Sequence, residues 1–531
     1  MDQETIIKIL SDPLFYSHKS DRVEVIQTHI SWILIAGEDV YKIKKAVDFG
    51  FLDFSTLEKR KFYCEEEVHL NRRLAPQVYL GVVSIGLNEE GKLTMDGTTE
   101  NIVEYAVRMK KIPTENMLKN LLLRPGFDHL TVDRLAQKIA RFHEKAETGG
   151  KIDEIGGLET VRFNQEENFT QTESFRGITI SSAKHRFIRT SVHRFLEKNE
   201  SLFHLRVHNH KIRDCHGDLH LEHIIVADDD ITVFDCIEFN ERIRYGDVAT
   251  DVSFLAMDLD FHGYGTLSKF FVDSYRKASK DGEIMLLLPF YQCYYAFVRG
   301  KVTGFQLNDP NITPIKKEEA TRLATRYFDL ACSYAARLHE PIFIITAGLM
   351  GSGKSIIARE VAEITGAFVL QMDALRKEMC HINPTERHLE NFGRGIYDRD
   401  TTQNAYEEAF SQAERMLEEG KSVIIDASFA KRDHRISAKN IAKKLNISFL
   451  VLECVCPDEE IKKRLKQRIK RKDEVSDGRQ EIFAAQKDNF EALSESQPGE
   501  HLVLDTSSPK DETVEKAIAA IFAVHEVRHT N

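Results

Sequence analysis

Apolar and polar positions alternate along residues 22–44. The runs Arg22-Val23-Glu24-Val25-Ile26, Trp32-Ile33-Leu34-Ile35 and Val40-Tyr41-Lys42-Ile43-Lys44 predict three short strands joined by tight turns. A charged stretch over roughly 57–74, with Leu70 and Leu74 on one face, predicts a helix, and a further strand pair is expected near 78–85 and 101–109. After Pro113 the period lengthens. Leu135, Ala136, Ile139, Ala140 and His143 recur at helical spacing. The middle of the chain reads as mostly helical, broken by a strand–loop–strand around 212–240. A helix over about 316–338 carries an apolar stripe from Ala320 to Leu338.

Pro341 stops that helix, and Ile342-Phe343-Ile344-Ile345 begins a strand at once. A boundary near 339–341 follows, with one domain over 1–338 and another over 339–531. Beyond it, strands predicted at 342–347, 367–372, 422–426, 448–454 and 501–505 alternate with helices. That alternation predicts an α/β domain with a parallel sheet. Two domains also suit a chain of 531 residues, more than one core usually serves.

Composition narrows the function classes. Lys and Arg number 73 against 84 Asp and Glu, for a net charge of -11. This argues against a broad nucleic-acid surface, while a local basic cleft and a short oligonucleotide acceptor stay open. No apolar stretch approaches the ~18 residues of a membrane helix. Met1 to Ser20 lacks the pattern of a signal peptide. Eight scattered cysteines form no CxxC pair. A reduced cytoplasm is the expected setting.

The sharpest motif is Gly348-Leu349-Met350-Gly351-Ser352-Gly353-Lys354-Ser355, placed after a strand and before a helix. That context predicts a P-loop. Gly348, Gly351, Ser352 and Gly353 shape a backbone whose amides face phosphates, Lys354 bridges the outer phosphates and Ser355 holds Mg²⁺. The next strand leads into Asp373, expected to orient or deprotonate an acceptor hydroxyl, with Arg376 gripping the acceptor or Asp373. A helix-capping role for Asp373 stays open. Asp426 ends the following strand and suits the shell of the Mg²⁺. Arg464, Arg468 and Arg471 share one helical face, readable as a lid over the phosphates or as a solvated basic face.

These residues resemble small P-loop kinases of the polynucleotide-kinase, gluconate-kinase and zeta-toxin type over roughly 342–505. The resemblance implies an acid after the second strand acting on a substrate hydroxyl. It does not carry over the acceptor.

A second constellation lies upstream. Cys215-His216-Gly217-Asp218-Leu219-His220-Leu221-Glu222-His223 precedes an apolar run, and Asp235 follows. This is the protein-kinase-like order, with Asp218 acting on the acceptor hydroxyl and Asp235 on the metal. Lys42 is expected on the α- and β-phosphates and Glu67 as its ion-pair partner, with Lys44 and Glu66 as close competitors. The segment 22–300 resembles the aminoglycoside phosphotransferase family, and Ala140-Arg141-Phe142-His143 and Gly246-Asp247-Val248-Ala249-Thr250-Asp251 match further family pieces. The resemblance implies an α+β protein-kinase-like fold in which Asp247 braces the catalytic loop. The order of the two parts looks like a bacterial fusion of an aminoglycoside phosphotransferase-like domain with a P-loop ATP-binding domain.

Two departures from the family stand out. His223 occupies the place of a metal-binding Asn, which suits Mn²⁺ beside Mg²⁺. The turn Thr28-His29-Ile30-Ser31 has no glycine, leaving the hydroxyls of Thr28 and Ser31 to stand in. His216, His220 and His223 also offer a zinc alternative, which a loop suits poorly. The expectation is an ATP-dependent phosphotransferase with two nucleotide sites and unknown hydroxyl acceptors. The alternatives are a silent kinase-like domain regulating a C-terminal P-loop ATPase, and a toxin-like switch.

Overall fold

The computed structural model describes the chain except residues 17, 19–20, 51, 96–100, 228–229, 384–392, 469–479, 496 and 531, and no side chain at 468, 480 or 526–530. Two compact units form. One takes residues 1–167 and 196–296, the other 168–195 and 297–531. Among the described residues, no helix is long and apolar enough to cross a membrane.

The first unit is built on a six-stranded antiparallel sheet of β1 (Val23–Gln27), β2 (Ser31–Ala36), β3 (Asp39–Lys44), β4 (Tyr79–Leu87), β5 (Leu93–Met95) and β6 (Asn101–Lys110). Its spatial order is β1-β2-β3-β6-β4-β5. The period of two sorts β2 cleanly. Leu34 and Ala36 pack with Ile6, Ile7 and Leu10 of helix Gln3–Leu10. Ile33 and Ile35 pack with Cys64 and Val68 of helix Leu57–Asn71. On β3, Val40 joins this second cluster, so Lys42 and Lys44 at the same parity face the same helix. Thr56 starts that helix by accepting the Lys59 amide at 3.3 Å.

After the sheet come helix Leu130–Lys145 and two short strand pairs. β7 (Ile212–Asp214) pairs with β10 (Tyr245–Asp247), and β8 (Ile224–Ala227) with β9 (Asp230–Val233), both antiparallel. β5 and β10 were not legible in the sequence, because three residues are too few for a period to show. Helices Ala249–Phe261 and Gly265–Ser279 complete this layer. An antiparallel sheet followed by helices, with a loop and hairpin between, agrees with the α+β class expected of this part.

The second unit holds a parallel sheet of β11 (Ile342–Ala347), β12 (Phe368–Gln371), β13 (Val423–Asp426), β14 (Ser448–Val455) and β15 (His501–Asp505) in the order β12-β13-β11-β14-β15. Every residue of β11 is buried, as its unbroken apolar run predicts for a central parallel strand. One face packs on helices Arg399–Glu418 and Arg432–Lys444 through Ala405, Ala409 and Ala438. The chain winds first to one side of β11 and then to the other, so a crevice opens at the carboxyl end of β11. Helix Pro314–Ala336 belongs to this unit as well, and its Cys332 thiol meets the Ile364 carbonyl at 3.2 Å.

Candidate active sites

In the first unit, β3 and helix Leu57–Asn71 bring Lys42, Lys44 and Glu67 together. Lys42 Nζ lies 2.8 Å from Glu67 Oε1 and 2.9 Å from Asp235 Oδ1. Lys44 Nζ lies 2.7 Å from Glu67 Oε2 and also pairs with Glu238. Glu67 thus bridges both lysines, and of the two only Lys42 reaches Asp235. Glu66 is half-buried one position away. Burial opposes the charge of Lys42, but Asp235 and Glu67 outweigh it and hold the ammonium charged. Burial likewise opposes ionisation of Glu67, and the two lysines lower its pKa all the same.

Asp235 has a left-handed backbone, φ 62°. Its amide donates to the Tyr79 hydroxyl at 3.2 Å, and the next amide, of Cys236, donates to Asn71 Oδ1 at 2.8 Å. These two bonds from the sheet and its helix hold a conformation that costs ~1–3 kcal/mol in a non-glycine residue. Burial opposes the Asp235 charge, yet Lys42 and then His223 bring its carboxyl well below the usual carboxylate range.

The loop 215–223 is pinned by its histidines and by Asp251. His216 is buried, donates from Nε2 to the Phe234 carbonyl at 3.0 Å and accepts the Asp218 amide on Nδ1 at 3.3 Å. His223 Nδ1 donates to the Asp218 carbonyl at 2.9 Å. The Asp218 carboxyl sits at about 2, where burial resists and the nearby His220 and His223 prevail. Asp251 accepts the amides of His216 at 2.8 Å and Gly217 at 2.9 Å, and meets His143 Nε2 at 3.0 Å. The brace is therefore Asp251, not Asp247 as the resemblance implied. Asp247 is spent on the Nε–Nη2 edge of buried Arg206, with both bonds at 2.7 Å, and on the Ala249 amide. The suggestion for Thr28 also fails. Its hydroxyl caps its own turn by accepting the Ser31 amide at 2.9 Å, and Ser31 is buried.

In the second unit, β11 runs into the P-loop. Gly348 has φ 129°, and a Cβ there would fall 2.3 Å from the Cys454 carbonyl oxygen, so only glycine fits. Gly353 has φ 91° and starts helix Lys354–Thr365, with the Thr506 side chain 3.1 Å from where its Cβ would be. Thr506 donates to the Ser352 carbonyl at 2.7 Å and receives Arg464 at 3.1 Å. Gln486 holds the Met350 amide at 2.7 Å. Lys354 Nζ donates to the Leu349 carbonyl at 2.8 Å. Asp426 is buried at the end of β13. Burial lifts its carboxyl above the ordinary range, against the Ser355 hydroxyl and the Lys354 charge.

An open cleft of about 1500 Å³ joins Lys354 and Ser355 to Asp373, Arg376, Lys431 and His434. β12 stops at Gln371, and Asp373 lies in the first turn of helix Met372–Met379, where the sequence reading carried the strand on to 372. Asp373 does not cap that helix. Its Oδ1 accepts buried Arg376 at 2.9 Å, and Arg376 stacks 4.7 Å from the Tyr397 ring. The side chain of Arg468 and the whole of Arg471 lie outside the described residues.

Residues 343–493 match the family model of an AAA domain. Across nearly the whole chain there are relatives in Mycobacterium tuberculosis, the uncharacterized protein Rv2004c, and in Mycobacterium bovis, the uncharacterized protein Mb2027c. Each is 29% identical over 497 residues, 93% of this chain and 94% of theirs. Among solved structures, the GDP complex of aminoglycoside 2'-phosphotransferase-IIIa is 13% identical with a TM-score of 0.38, covering 62% of this chain and 99% of that one. A gluconokinase from Sinorhizobium meliloti is 19% identical with a TM-score of 0.27, covering 36% of this chain and 98% of its own.

The P-loop motif was contiguous and legible. The partners that close it, Thr506 and Gln486, lie more than a hundred residues on and carried no signal. In the first unit, Tyr79, Asn71, Glu238 and Asp251 were missed as site residues. Of these only Asp251 had one, its place in the stretch 246–251.

Proposed function

We propose that the chain is an ATP-dependent phosphotransferase with two nucleotide sites, one in a kinase-like part over 1–338 and one in a P-loop part over 339–531. The observation that carries the reading is the cleft leading from Lys354 and Ser355 to the Asp373–Arg376 pair. It brings the P-loop and a carboxylate to the lining of one open space that could admit an acceptor. Lys354 and the loop amides bind the outer phosphates, and Arg464 closes the cradle through Thr506. Ser355 and Asp426 offer the hard oxygens that suit Mg²⁺, which when bound would neutralise charge developing on the phosphates. Asp373 orients the acceptor hydroxyl and takes its proton, with Arg376 fixing its rotamer.

In the kinase-like part, Lys42 holds the α- and β-phosphates, positioned by Glu67. Asp218 faces the acceptor hydroxyl, and Asp235 with His223 holds the divalent ion, Mg²⁺ or Mn²⁺. A pKa near 2 makes Asp218 a weak base before the transition state and suits it to orienting the hydroxyl. A second reading has this part bind nucleotide without transfer and regulate the P-loop part. The Thr28 hydroxyl, consumed within its own turn, favours it.

The test is transfer from γ-³²P-labelled ATP to a panel of hydroxyl metabolites and 5'-hydroxyl oligonucleotides, using the full chain. Asp373→Asn should keep ATP affinity and lose ~10²–10⁴ in transfer to the acceptor of the P-loop part. Asp218→Asn should do the same for a different acceptor. Loss of transfer in Asp373→Asn alone, for every acceptor, selects the regulatory reading. Unchanged transfer in both variants rejects the proposal.

A further inference from the structure

A second cavity lies in the first unit, lined by helices Leu130–Lys145 and Gly265–Ser279 and by the residues that lead into β7. It holds about 750 Å³, and none of Lys42, Glu67, Asp218 and Asp235 lines it. Its wall carries five cations, Arg141, Lys211, Arg213, Lys277 and Lys280, against two carboxylates, Asp133 and Glu144. The chain as a whole has a net charge of -11, so this positive excess is local. Small-ligand sites usually enclose ~300–1,000 Å³. A cavity of that size with charge of one sign concentrates anions.

Cations often gather near helix ends, where main-chain carbonyls attract positive charge. That accounts for Arg213. Its Nε donates to the His210 carbonyl at 2.9 Å and its Nη1 to the Ala146 carbonyl at 2.7 Å. These bonds fix the guanidinium and supply no carboxylate to it. Lys211 Nζ lies 3.6 Å from Asp281 Oδ2, but that carboxylate already accepts buried Arg206 at 2.7 Å. Arg141, Lys277 and Lys280 are a different case. Among the described residues, none of these three side chains meets a carbonyl or a carboxylate. Lys280 also ends its helix in a left-handed backbone, φ 54°, where glycine is the usual residue. The chain thus keeps a cation on the cavity wall at the cost of backbone strain.

The buried part of the lining is held firmly. His143 Nδ1 lies 2.8 Å from the Tyr275 hydroxyl, and His143 Nε2 lies 3.0 Å from Asp251, the brace of the loop 215–223. We propose that this cavity binds a small polyanion, a molecule with at least two phosphate or carboxylate groups, at a site separate from both nucleotide sites. The cations stand on three segments of chain. One anionic group cannot meet them all, whereas two groups on one small frame can. Arginine offers a planar fork that matches either group, and lysine adds a point charge. The cavity keeps this chemistry whether or not either nucleotide site transfers phosphate.

The test is labelling of the full-length protein with pyridoxal 5'-phosphate, followed by borohydride reduction and peptide mapping. The phosphate directs the probe to cations. Its aldehyde carbon condenses with a neighbouring lysine Nζ with loss of water, and borohydride reduces the imine to a stable amine. Lys277 or Lys280 should label at least about tenfold faster than the exposed Lys8 and Lys316, because a cleft of one charge sign concentrates counter-ions. Arg141→Glu should remove that advantage and leave Lys8 and Lys316 unchanged. Arg141 is exposed, so the substitution spares the core. Inorganic pyrophosphate or citrate should protect the labelled lysine, and the stronger protector identifies which anionic group the cavity takes. Equal rates at all four lysines, an advantage that persists in Arg141→Glu, or protection by neither anion each overturns the proposal.

Discussion

The two units hold the lysine proposed to meet phosphate by opposite means. In the P-loop, Lys354 rests on a main-chain carbonyl within a loop that glycine backbones shape locally. In the first unit, Lys42 sits among buried Lys44, Glu67 and Glu238 and the partly exposed Asp235, contributed by a strand, a helix and a distant loop. The first arrangement costs little desolvation, since backbone dipoles form the cradle whatever the side chains around it do. The second sets two ammonium groups against two buried carboxylates, Glu67 and Glu238, and the partly exposed Asp235, and removing a buried partner leaves an uncompensated charge. A backbone cradle is therefore a local property of sequence, and a charge cluster is a property of the whole unit.

The sharpest way to break this comparison is to count nucleotide sites. Equilibrium dialysis of ATP against the full chain should fall from two equivalents to one in Lys354→Ala, and from two to one in Lys42→Ala. The double variant should bind none. Losing an outer-phosphate contact of this kind costs on the order of 10²–10³ in turnover at the affected site. Full binding in the double variant would reject both assignments. A single equivalent in the wild type, lost with Lys354, would leave the kinase-like unit without a nucleotide role.

The same contrast explains what could be read from the sequence. The P-loop, its flanking strand and helix and Asp426 were contiguous and periodic, so fold and site were legible together. In the first unit the strands and the helix at 57–71 were legible, and Lys42, Glu67, Asp218 and Asp235 could be singled out as candidates, because each sits in a local pattern. Their partners were not. Asn71 and Tyr79 act on the amides of Cys236 and Asp235 from more than 150 residues away, and no spacing rule links them. Asp247 and Asp251 look equivalent in sequence, and only the burial of Arg206 beside one of them decides which carboxylate reaches the loop. The end of β12 was misplaced because four residues leave no room to tell a strand from the first turn of a helix.

A stability measurement sharpens the comparison further. Trp32 is the chain's one tryptophan, and it lies on β2, so its fluorescence reports on the kinase-like unit alone. Glu67→Gln would leave Lys42 and Lys44 short of a shared counter-charge in a site from which water is excluded. Removing one partner of a buried ion pair typically costs ~3–5 kcal/mol. Urea unfolding followed at Trp32 should show a loss of that order. Glu66→Gln, at the half-buried neighbouring position, should change little. Equal effects of the two substitutions would mean that the cluster does not act as a unit.

The smallest effect expected is one of pH, and it belongs to His216. Burial holds this imidazole neutral, with its pKa lowered from 6.5 to about 4. Both ring nitrogens are committed, one to the Phe234 carbonyl and one to the Asp218 amide, so a second proton would break the latter bond. The unfolded chain meets no such resistance. Between pH 6.5 and about 4 it binds a proton that the folded chain refuses, and stability must fall as pH drops through that window. Above it both states are neutral, and below it both are protonated, so the dependence flattens at either end. The gap corresponds to ~3 kcal/mol. Asp218, with its carboxyl at about 2, loses its own contribution only below the ordinary carboxylate value of 3.8, outside this window. Urea midpoints read at Trp32 should therefore decline steadily from pH 7 to pH 4.5. His216→Gln keeps one donor and one acceptor but cannot titrate, so it should flatten the decline even if it lowers stability throughout. Parallel slopes in the two proteins would assign the acid sensitivity to other groups of the unit.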